Sequence, residues 1–337
     1  MEDQPSASVP FLPVPLRFEP VMKRYLWGGR RLGELFTKPI GPENDYAESW
    51  ELVDRDPEQS RVVAGPLAGK TLRELLQEYP GELLGRHAPL PRFPLLVKLL
   101  DAAQLLSVQV HPNDAQAARM TPPDLGKTEV WHVLAAQPGS KLYAGLKPHI
   151  DRAHLEQALN AGRVEPCLHV IEPHVGDTIF IPPGTVHALG AGVVIAEFQQ
   201  SSDVTLRLFD WNRVGVNGKP RPLHIEEALP IINYTFGPIQ VQRSTSLPAL
   251  PLDSVATQEL VVCEKFVLKR HTFRGHWTRP NDQRFRILMV IEGELRAAND
   301  PLDSLCTAGT TLLMPAALGE IELLTESTAT VLECYLP

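Results

Sequence analysis

Apolar and polar residues alternate in short runs along most of the chain, and glycine and proline separate the runs. Such alternation predicts β-strands with one face on a core. In the run LLSVQVHPND (105–114), Gln109 and His111 would point to the same side of a strand, about 6.6 Å apart. A Gln-x-His pair on a strand is more often a hydrogen-bonded interior than a pair of metal ligands, so other residues must decide its meaning.

Helical spacing is confined to a few short segments. Leucines recur at helical spacing in TLRELLQEYPGELLG (71–85), which starts at a threonine and is interrupted at Pro80. DRAHLEQALNAG (151–162) starts at an aspartate and ends at a glycine, and a third segment lies near 225–233. We therefore predict a mainly β protein with a few short helices.

The length of 337 residues favours two domains over a single core. The 32 prolines and 23 glycines favour many turns between strands. Proline-rich residues 1–16 are expected to lie extended along the surface, and a charged, proline-rich connector follows residue 213. We predict a first domain at 17–238 and a second, similar domain at 239–337.

The formal net charge of −8 gives no reason to expect nucleic acid or an acidic membrane surface as a partner. No apolar run reaches about 18 residues, and no signal peptide is evident. The four cysteines form no C-x-x-C pair, which favours buried free thiols in a reducing cytoplasm. The expectation is a cytoplasmic protein.

The segment GDTIFIPPGTVH (176–187) has the form G-D-x4-P-x-G-x2-H. It resembles the second motif of the cupin fold, a double-sheet jelly-roll barrel that commonly holds one metal ion. In that fold an earlier strand pair supplies the other ligands, where Gln109, His111 and Glu129 stand here. Together with His187 they offer two imidazoles, one carboxylate and one amide, a set that suits one Zn²⁺ per chain. Taken singly, each histidine can also be a core residue and Glu129 a surface charge.

The C-terminal part repeats this pattern incompletely. Residues 309–315, GTTLLMP, copy the opening of the motif, but Glu320 stands where His187 stands in the first copy. We therefore predict two cupin barrels, of which the second binds no metal.

Several segments closely resemble the type I mannose-6-phosphate isomerases. They are LWGG (26–29), ESWE (48–51), KLLDAAQLLSVQVHPND (98–114), GKTEVWHVL (126–134) and IPPGTVHALGAGVVIAEFQQSSDVTLRLFDWNR (181–213). The resemblance implies an enzyme that interconverts D-mannose 6-phosphate and D-fructose 6-phosphate through a cis-enediol. His132 and Phe209 stand where the family often has tyrosine, and His132 could add a titrating group near the site.

Carried over by position, the resemblance implies zinc on Gln109, His111, Glu129 and His187. It also implies catalytic residues Arg207, Glu197 and Lys127, and substrate-binding residues Ser107, Lys98 and Glu48. The sequence does not decide whether Glu197 or Lys127 is the base, or whether Arg207 binds phosphate or the oxyanion.

The expected partner is a phosphorylated hexose, with the chain a monomer or a weak homodimer. Two alternatives remain at this stage, namely a non-catalytic sugar-binding cupin and a different metal-dependent cupin enzyme.

Overall fold

A computed structural model describes residues 10–214, 218–244, 249–280 and 282–337. Antiparallel strands dominate this part of the chain, and the mainly β prediction is confirmed. The strands are β1 Val21–Gly29, β2 Tyr46–Leu52, β3 Leu95–Ala102, β4 Val108–Val110, β5 Glu129–Ala136, β6 Leu142–Leu146, β7 Leu168–Ile171, β8 Thr178–Ile181, β9 His187–Leu189, β10 Val193–Gln200, β11 Leu206–Phe209, β12 Val241–Gln242, β13 Ser254–Val262, β14 Val267–Pro280, β15 Arg286–Glu292, β16 Glu294–Ala297, β17 Cys306–Thr307, β18 Thr311–Met314 and β19 Glu320–Tyr335.

The helices are short, as predicted. They are α1 Arg31–Phe36, α2 Leu72–Glu78, α3 Pro80–Leu84, α4 Asp114–Ala117, α5 Arg152–Asn160 and α6 Ile225–Ala228, with 3₁₀ turns at Glu165–Cys167 and Leu229–Ile231. Thr71 caps α2 by accepting a hydrogen bond from the Glu74 backbone, and Pro80 begins α3 because a proline costs least at a first helical position. The helix predicted near 225–233 is only four residues long before the 3₁₀ turn that contains Pro230.

Two sheets form an N-terminal sandwich. One has the strand order β1-β2-β3-β10-β5-β8-β12, and the other has the order β11-β4-β9-β6-β7. Apolar side chains from both sheets meet between them, including Trp131 and Ile195 from the first and Leu142 and Leu189 from the second. This is the double-sheet arrangement expected of a cupin, although neither strand order returns to its starting strand.

A C-terminal sheet has the order β13-β14-β19-β15-β18, with β16 and β17 attached at its side. It packs against the outer face of the seven-stranded sheet in the N-terminal sandwich. Val97 and Phe198 from the sandwich share one apolar cluster with Phe266, Ile287 and Leu332 from the C-terminal sheet. Strand β3 is therefore covered on both faces, which explains its nearly unbroken apolar sequence.

The two predicted domains are connected more closely than a boundary at residue 239 suggests. Strand β12 follows that boundary, yet it pairs with β8 at the edge of the N-terminal sandwich. Residues 1–9 of the predicted extended segment lie outside the described residues. The C-terminal end of that segment does not lie on the surface, contrary to the expectation. Val14 and Leu16 are buried in the shared cluster, and Leu16 pairs with Leu313.

The four cysteines are free thiols, three of them buried. In the described ranges, the longest α-helix has nine residues, and no helix has the length and hydropathy to cross a bilayer.

Candidate active site

The residues with predicted metal-binding side chains come from both sheets of the N-terminal sandwich. Gln109 on β4 pairs directly with His187, the first residue of β9, and His111 follows the end of β4. Glu129 is the first residue of β5 in the opposite sheet and pairs with Gln199 of β10. The proline corner at 182–184 ends β8 and lets the chain return as β9, which brings His187 to the inside.

His111, Glu129 and His187 form one buried cluster. His111 Nε2 lies 3.5 Å from Glu129 Oε2, and His187 Nε2 lies 3.3 Å from Glu129 Oε1. One ligand atom from each of the three residues can be chosen so that all lie within 4.8 Å of one another. In the described part of the chain, this is the one cluster of histidine, cysteine or carboxylate groups with a spacing suited to a metal ion.

Backbone carbonyls fix the protonation of both imidazoles. His111 Nδ1 lies 2.8 Å from the Val204 carbonyl oxygen, and His187 Nδ1 lies 2.9 Å from that of Thr185. A carbonyl can only accept, so each Nδ1 carries the proton and each Nε2 keeps its lone pair. Burial lowers the pKa of His187 to about 4 and that of His111 well below its usual value. Both rings are therefore neutral near pH 7, which is the form that binds metals.

The Glu129 carboxylate lacks hydrogen-bond donors. Neither of its oxygens accepts a hydrogen bond, although the Lys127 ammonium lies 2.8 Å from Oε2 and 3.1 Å from His111 Nε2. The Lys127 ammonium offsets part of the cost of burying this carboxylate, and a metal cation would offset more of it. Two imidazole nitrogens and a carboxylate form a donor set typical of divalent first-row metals, so these residues fit a metal ion.

Gln109 adjoins this cluster through its amide nitrogen. Gln109 Nε2 lies 3.2 Å from His187 Nε2, so the amide must rotate by about 180° to present its oxygen to a metal. Its assignment as a fourth ligand stays a prediction.

A cavity of about 250 Å³ opens beside the cluster. All the other predicted catalytic and substrate-binding residues line it, together with Gln109. The members of that set are Glu48, Lys98, Ser107, Lys127, Glu197 and Arg207. The structure thus brings every predicted site residue to this cavity or to the His111, Glu129 and His187 cluster beside it.

Strand register explains the row of charges on one cavity wall. Glu197 of β10 pairs with Lys98 of β3 on one side and with Trp131 of β5 on the other. The Lys98 ammonium lies 3.4 Å from Glu48 Oε2 and 3.8 Å from Glu197 Oε1. Burial alone would lower the pKa of Lys98, but Glu48 and Glu197 raise it. Lys98 is therefore a fixed cation between two carboxylates.

Glu197 differs from the other buried acids in the site. Burial raises its pKa, and the nearby Glu129 charge raises it further. Its Oε1 accepts no hydrogen bond. A carboxylate with a raised pKa and a free oxygen toward a cavity is suited to proton transfer.

Arginines stand on another part of the cavity wall. Arg207 of β11 pairs with Gln109 of β4, and its Nε donates to Ser107 Oγ at 3.2 Å. Its Nη1 donates to the Pro222 carbonyl oxygen at 2.9 Å, and no carboxylate of the described residues lies within ion-pair distance of it. Burial and the neighbouring Arg221 lower the pKa of Arg207. The two arginines form an electropositive surface.

Sequence reasoning missed Arg221, because the stretch after residue 213 was interpreted as a connector. Arg221 lines the cavity and donates to both Asp210 oxygens, at 2.8 and 2.6 Å. Its only sequence signal is its place in a basic, proline-rich segment directly after β11. Tyr25, Asp203 and Thr205 also line the cavity and were not predicted.

His132 does not join this site, contrary to the suggestion that it could add a titrating group there. Its neighbour Trp131 faces the active-site cavity, so His132 points to the other side of β5. Its Nδ1 lies 2.9 Å from Thr178 Oγ1, and burial lowers its pKa to about 3. Glu320, the counterpart of His187 in the C-terminal sheet, is exposed at the start of β19. The metal-free character of that sheet stays a prediction.

Comparison with known proteins places these observations in a family. A family model described as "Phosphomannose isomerase type I, catalytic domain" matches residues 16–131. The chain is 34% identical over 309 residues to the probable mannose-6-phosphate isomerase GmuF of Bacillus subtilis, which covers 91% of this chain and 95% of the relative. It is also 34% identical to the mannose-6-phosphate isomerase ManA of the same organism, over 92% of this chain and 95% of that protein.

Solved structures with a similar fold include mannose-6-phosphate isomerases, in agreement with the relatives found by sequence. The crystal structure of the mannose 6-phosphate isomerase from Bacillus subtilis superposes with a TM-score of 0.83 at 30% identity, over 96% of this chain and all of that one. A structure from Archaeoglobus fulgidus, at 23% identity and a TM-score of 0.76, supports the fold alone. The chain belongs to the type I phosphomannose isomerases, a family of mannose-6-phosphate isomerases, and it is an isomerase.

Proposed function

We propose that this enzyme interconverts D-mannose 6-phosphate and D-fructose 6-phosphate by proton transfer through a cis-enediol, with one Zn²⁺ per chain. The observation that carries the proposal is the buried His111, Glu129 and His187 cluster, with Nε2 of both imidazoles unprotonated, next to a cavity that contains Glu197 and Arg207. The names of the curated relatives supply the substrate.

His111, Glu129 and His187 would hold the zinc ion, with the Gln109 oxygen as a fourth ligand after its amide rotates. Bound there, zinc would supply Lewis-acid chemistry that stabilises negative charge on the sugar oxygens. Lys127 contacts both Glu129 and His111 at present, so it would have to withdraw from one of them. Its long, flexible side chain allows that movement.

Glu197 is our candidate for the general base. Its raised pKa and unbonded Oε1 favour proton uptake, whereas the Lys127 ammonium is already committed to Glu129 and His111. Glu197 takes the proton from C2 of the aldose, and the C2 electron pair forms the C1=C2 bond of the enediol. It then returns the proton to C1. Meanwhile the O1 oxygen gains a proton and the O2 oxygen loses one, so the overall reaction is an isomerisation without a co-reactant.

Arg207 and Arg221 are our candidates for binding the phosphate. Arg207 has no carboxylate partner among the described residues, and Arg221 stands beside it with its charge shared by Asp210. Guanidinium groups bind phosphate oxygens through paired donors, which suits a dianion at this wall. The Ser107 hydroxyl, already bonded to Arg207, adds a further donor. With the phosphate bound there, the oxyanion of the sugar would form at the other end of the cavity, next to the proposed metal ligands.

Lys98 and Glu48 would bind sugar hydroxyls between the two ends of the cavity. They form an ion pair in contact with Trp50, whose Nε1 donates to Glu48 Oε2 and whose ring lies 4.9 Å from the Lys98 ammonium. Because these contacts fix both side chains, they offer a preorganised surface.

The test is turnover of mannose 6-phosphate in a coupled assay, with metal content measured on the same sample. We expect about one zinc per chain, loss of activity after chelation, and recovery when zinc is added back. Full activity in a sample shown to contain no metal would overturn the zinc proposal. Binding of the sugar without turnover in a zinc-loaded sample would instead favour a non-catalytic cupin, and oxygen uptake would indicate an oxidative cupin enzyme.

A further inference from the structure

A second cavity, of about 640 Å³, lies between the N-terminal sandwich and the C-terminal sheet. His132 and Leu134 of β5 form part of one wall, and Arg270 and Thr272 of β14 form part of the other. None of its lining residues also lines the active-site cavity. The two cavities are therefore separate sites on opposite faces of β5.

Among the described residues that line this cavity, Arg270 is the only arginine or lysine, and none of their carboxylates forms an ion pair with it. The residue is 8% exposed, and its guanidinium donates to two neutral oxygens. Nη1 donates to Ser244 Oγ at 2.9 Å and Nη2 donates to Gln258 Oε1 at 2.6 Å. No carboxylate among the described residues lies within 4.0 Å of it, although Glu292 stands at the exposed rim. Burial lowers the pKa of Arg270, and the more distant Glu292 charge only partly opposes that shift.

A second buried arginine in the same sheet provides the contrast. Arg286 is 0% exposed, and it contacts Glu333 at 3.0 Å and Asp282 at 2.7 Å. A buried cation normally requires such counter-charges, since its desolvation is otherwise unrecovered. Arg286 contacts two carboxylates, whereas Arg270 faces the cavity.

The remaining walls combine hydroxyl groups with apolar surface. Thr272 Oγ1 and Thr330 Oγ1 lie 3.1 Å apart on the same face as Arg270, and Ile291 and Leu134 provide apolar contacts. His132 is neutral, because burial lowers its pKa to about 3, and so it adds no competing charge. A concave site with one cation, a few hydroxyls and apolar walls is typical of small-molecule binding.

We propose that this cavity binds a small organic anion that also carries hydroxyl groups. Its anionic group contacts the Arg270 guanidinium, and its hydroxyls exchange hydrogen bonds with Thr272 and Thr330. Phosphate esters and carboxylates both satisfy this chemistry, since each pairs with a guanidinium through two oxygens. The ligand would link the two halves of the molecule without touching the catalytic residues.

The test is calorimetric titration of the metal-loaded, full-length enzyme with glycerol 3-phosphate and, separately, with D-glycerate. We compare wild type with Arg270→Gln and with the control Lys269→Gln, which removes a charge from the neighbouring position on the other face of β14. At least one probe should bind wild type and the control equally and bind Arg270→Gln roughly tenfold more weakly or worse. The probe that responds identifies the preferred anion. Comparing variants also removes any contribution from binding in the active-site cavity.

Thermal unfolding gives a second readout. Arg270→Gln should be at least as stable as wild type without ligand, because it removes an uncompensated buried charge, and the probe should no longer raise its melting temperature. Thr330→Val, which keeps the side-chain volume, should weaken binding to a smaller extent. Equal affinity of wild type and Arg270→Gln for both probes, or no saturable binding to wild type, would overturn the proposal.

Discussion

Glu197 and Lys98 lie directly opposite each other on β10 and β3, with the Lys98 ammonium 3.8 Å from a Glu197 oxygen that accepts no hydrogen bond. Burial and Glu129 raise the pKa of Glu197, while Lys98 opposes that shift. The Lys127 ammonium opposes the upward shift as well. The pKa of this buried acid is thus raised by burial and by a neighbouring carboxylate, and two adjacent cations limit the rise.

Replacing Glu197 with Gln tests its assignment as the base. The amide has the same shape but cannot accept the C2 proton, so kcat should fall roughly 10²- to 10⁴-fold. KM and zinc content should change little. The matched control Glu292→Gln, at the rim of the other cavity, should leave kcat unchanged. If Glu197→Gln stays within tenfold of wild type while Lys127→Met does not, Lys127 is the base.

Replacing His187 with Ala tests the metal site. One of two imidazole ligands is lost, so bound zinc and isomerase activity should disappear together. Far-ultraviolet circular dichroism should still report a β protein, because the shared apolar cluster contains no metal ligand. His154→Ala, on exposed helix α5, is the control and should keep both metal and activity. A His187→Ala enzyme that retains zinc at one per chain would contradict the ligand assignment.

Arg207 variants test phosphate binding. Arg207→Ala removes charge-assisted hydrogen bonds to the phosphate, which should raise KM for mannose 6-phosphate roughly 10- to 100-fold. Arg207→Lys should recover only part of that loss, since a lysine cannot bind two oxygens with a planar fork. Inhibition by inorganic phosphate should weaken in parallel. An unchanged phosphate inhibition constant with a reduced kcat would instead assign Arg207 to the oxyanion.

The buried His132 predicts a specific dependence of stability on pH. Its pKa falls from 6.5 to about 3 in the folded protein, so only the unfolded chain takes up a proton between these values. The contribution of His132 to the free energy of unfolding is therefore fully present above about pH 6.5 and declines as the pH falls toward 3. Between pH 7 and pH 5 the loss should be about 2 kcal/mol.

His132→Gln isolates that contribution. In urea unfolding at matched metal content, the variant should show a shallower decline of unfolding free energy between pH 7 and pH 5. The substitution also removes the contact between His132 and Thr178, which changes the unfolding free energy at every pH. The dependence of the unfolding free energy on pH is therefore the quantity to compare, and not its value at pH 7. Identical slopes for both proteins would show that His132 titrates normally in the folded state.

The inward position of His187 in the His111, Glu129 and His187 cluster was predictable because local spacing determines it. In G-D-x4-P-x-G-x2-H a strand, a corner and a returning strand lie within twelve residues, so His187 is directed inward by the segment itself. Strand alternation places Gln109 and His111 on one face, while the role of Gln109 as a ligand comes only from the resemblance and stays a prediction. The same alternation places His132 on the face opposite to Trp131, away from the active-site cavity.

Other parts of the site depend on contacts between distant segments. Arg221 reaches the cavity because the chain after β11 folds back and lets His224 bond the Arg207 backbone, and no local pattern specifies that return. The prolines that precede Leu16 predict an extended segment on the surface. The burial of Leu16 depends on Leu313, almost three hundred positions later.

Strand β3 places Val97 and Lys98 next to each other in the chain but in two different environments. Val97 belongs to the apolar cluster shared with the C-terminal sheet, and Lys98 lines the active-site cavity. The C-terminal sheet thus covers the back of the strand that carries Lys98, although none of its described residues lines the active-site cavity. A shortened chain ending at residue 238 would retain every predicted catalytic side chain, yet the sheet that carries Lys98 and Glu197 would have an apolar back exposed to water.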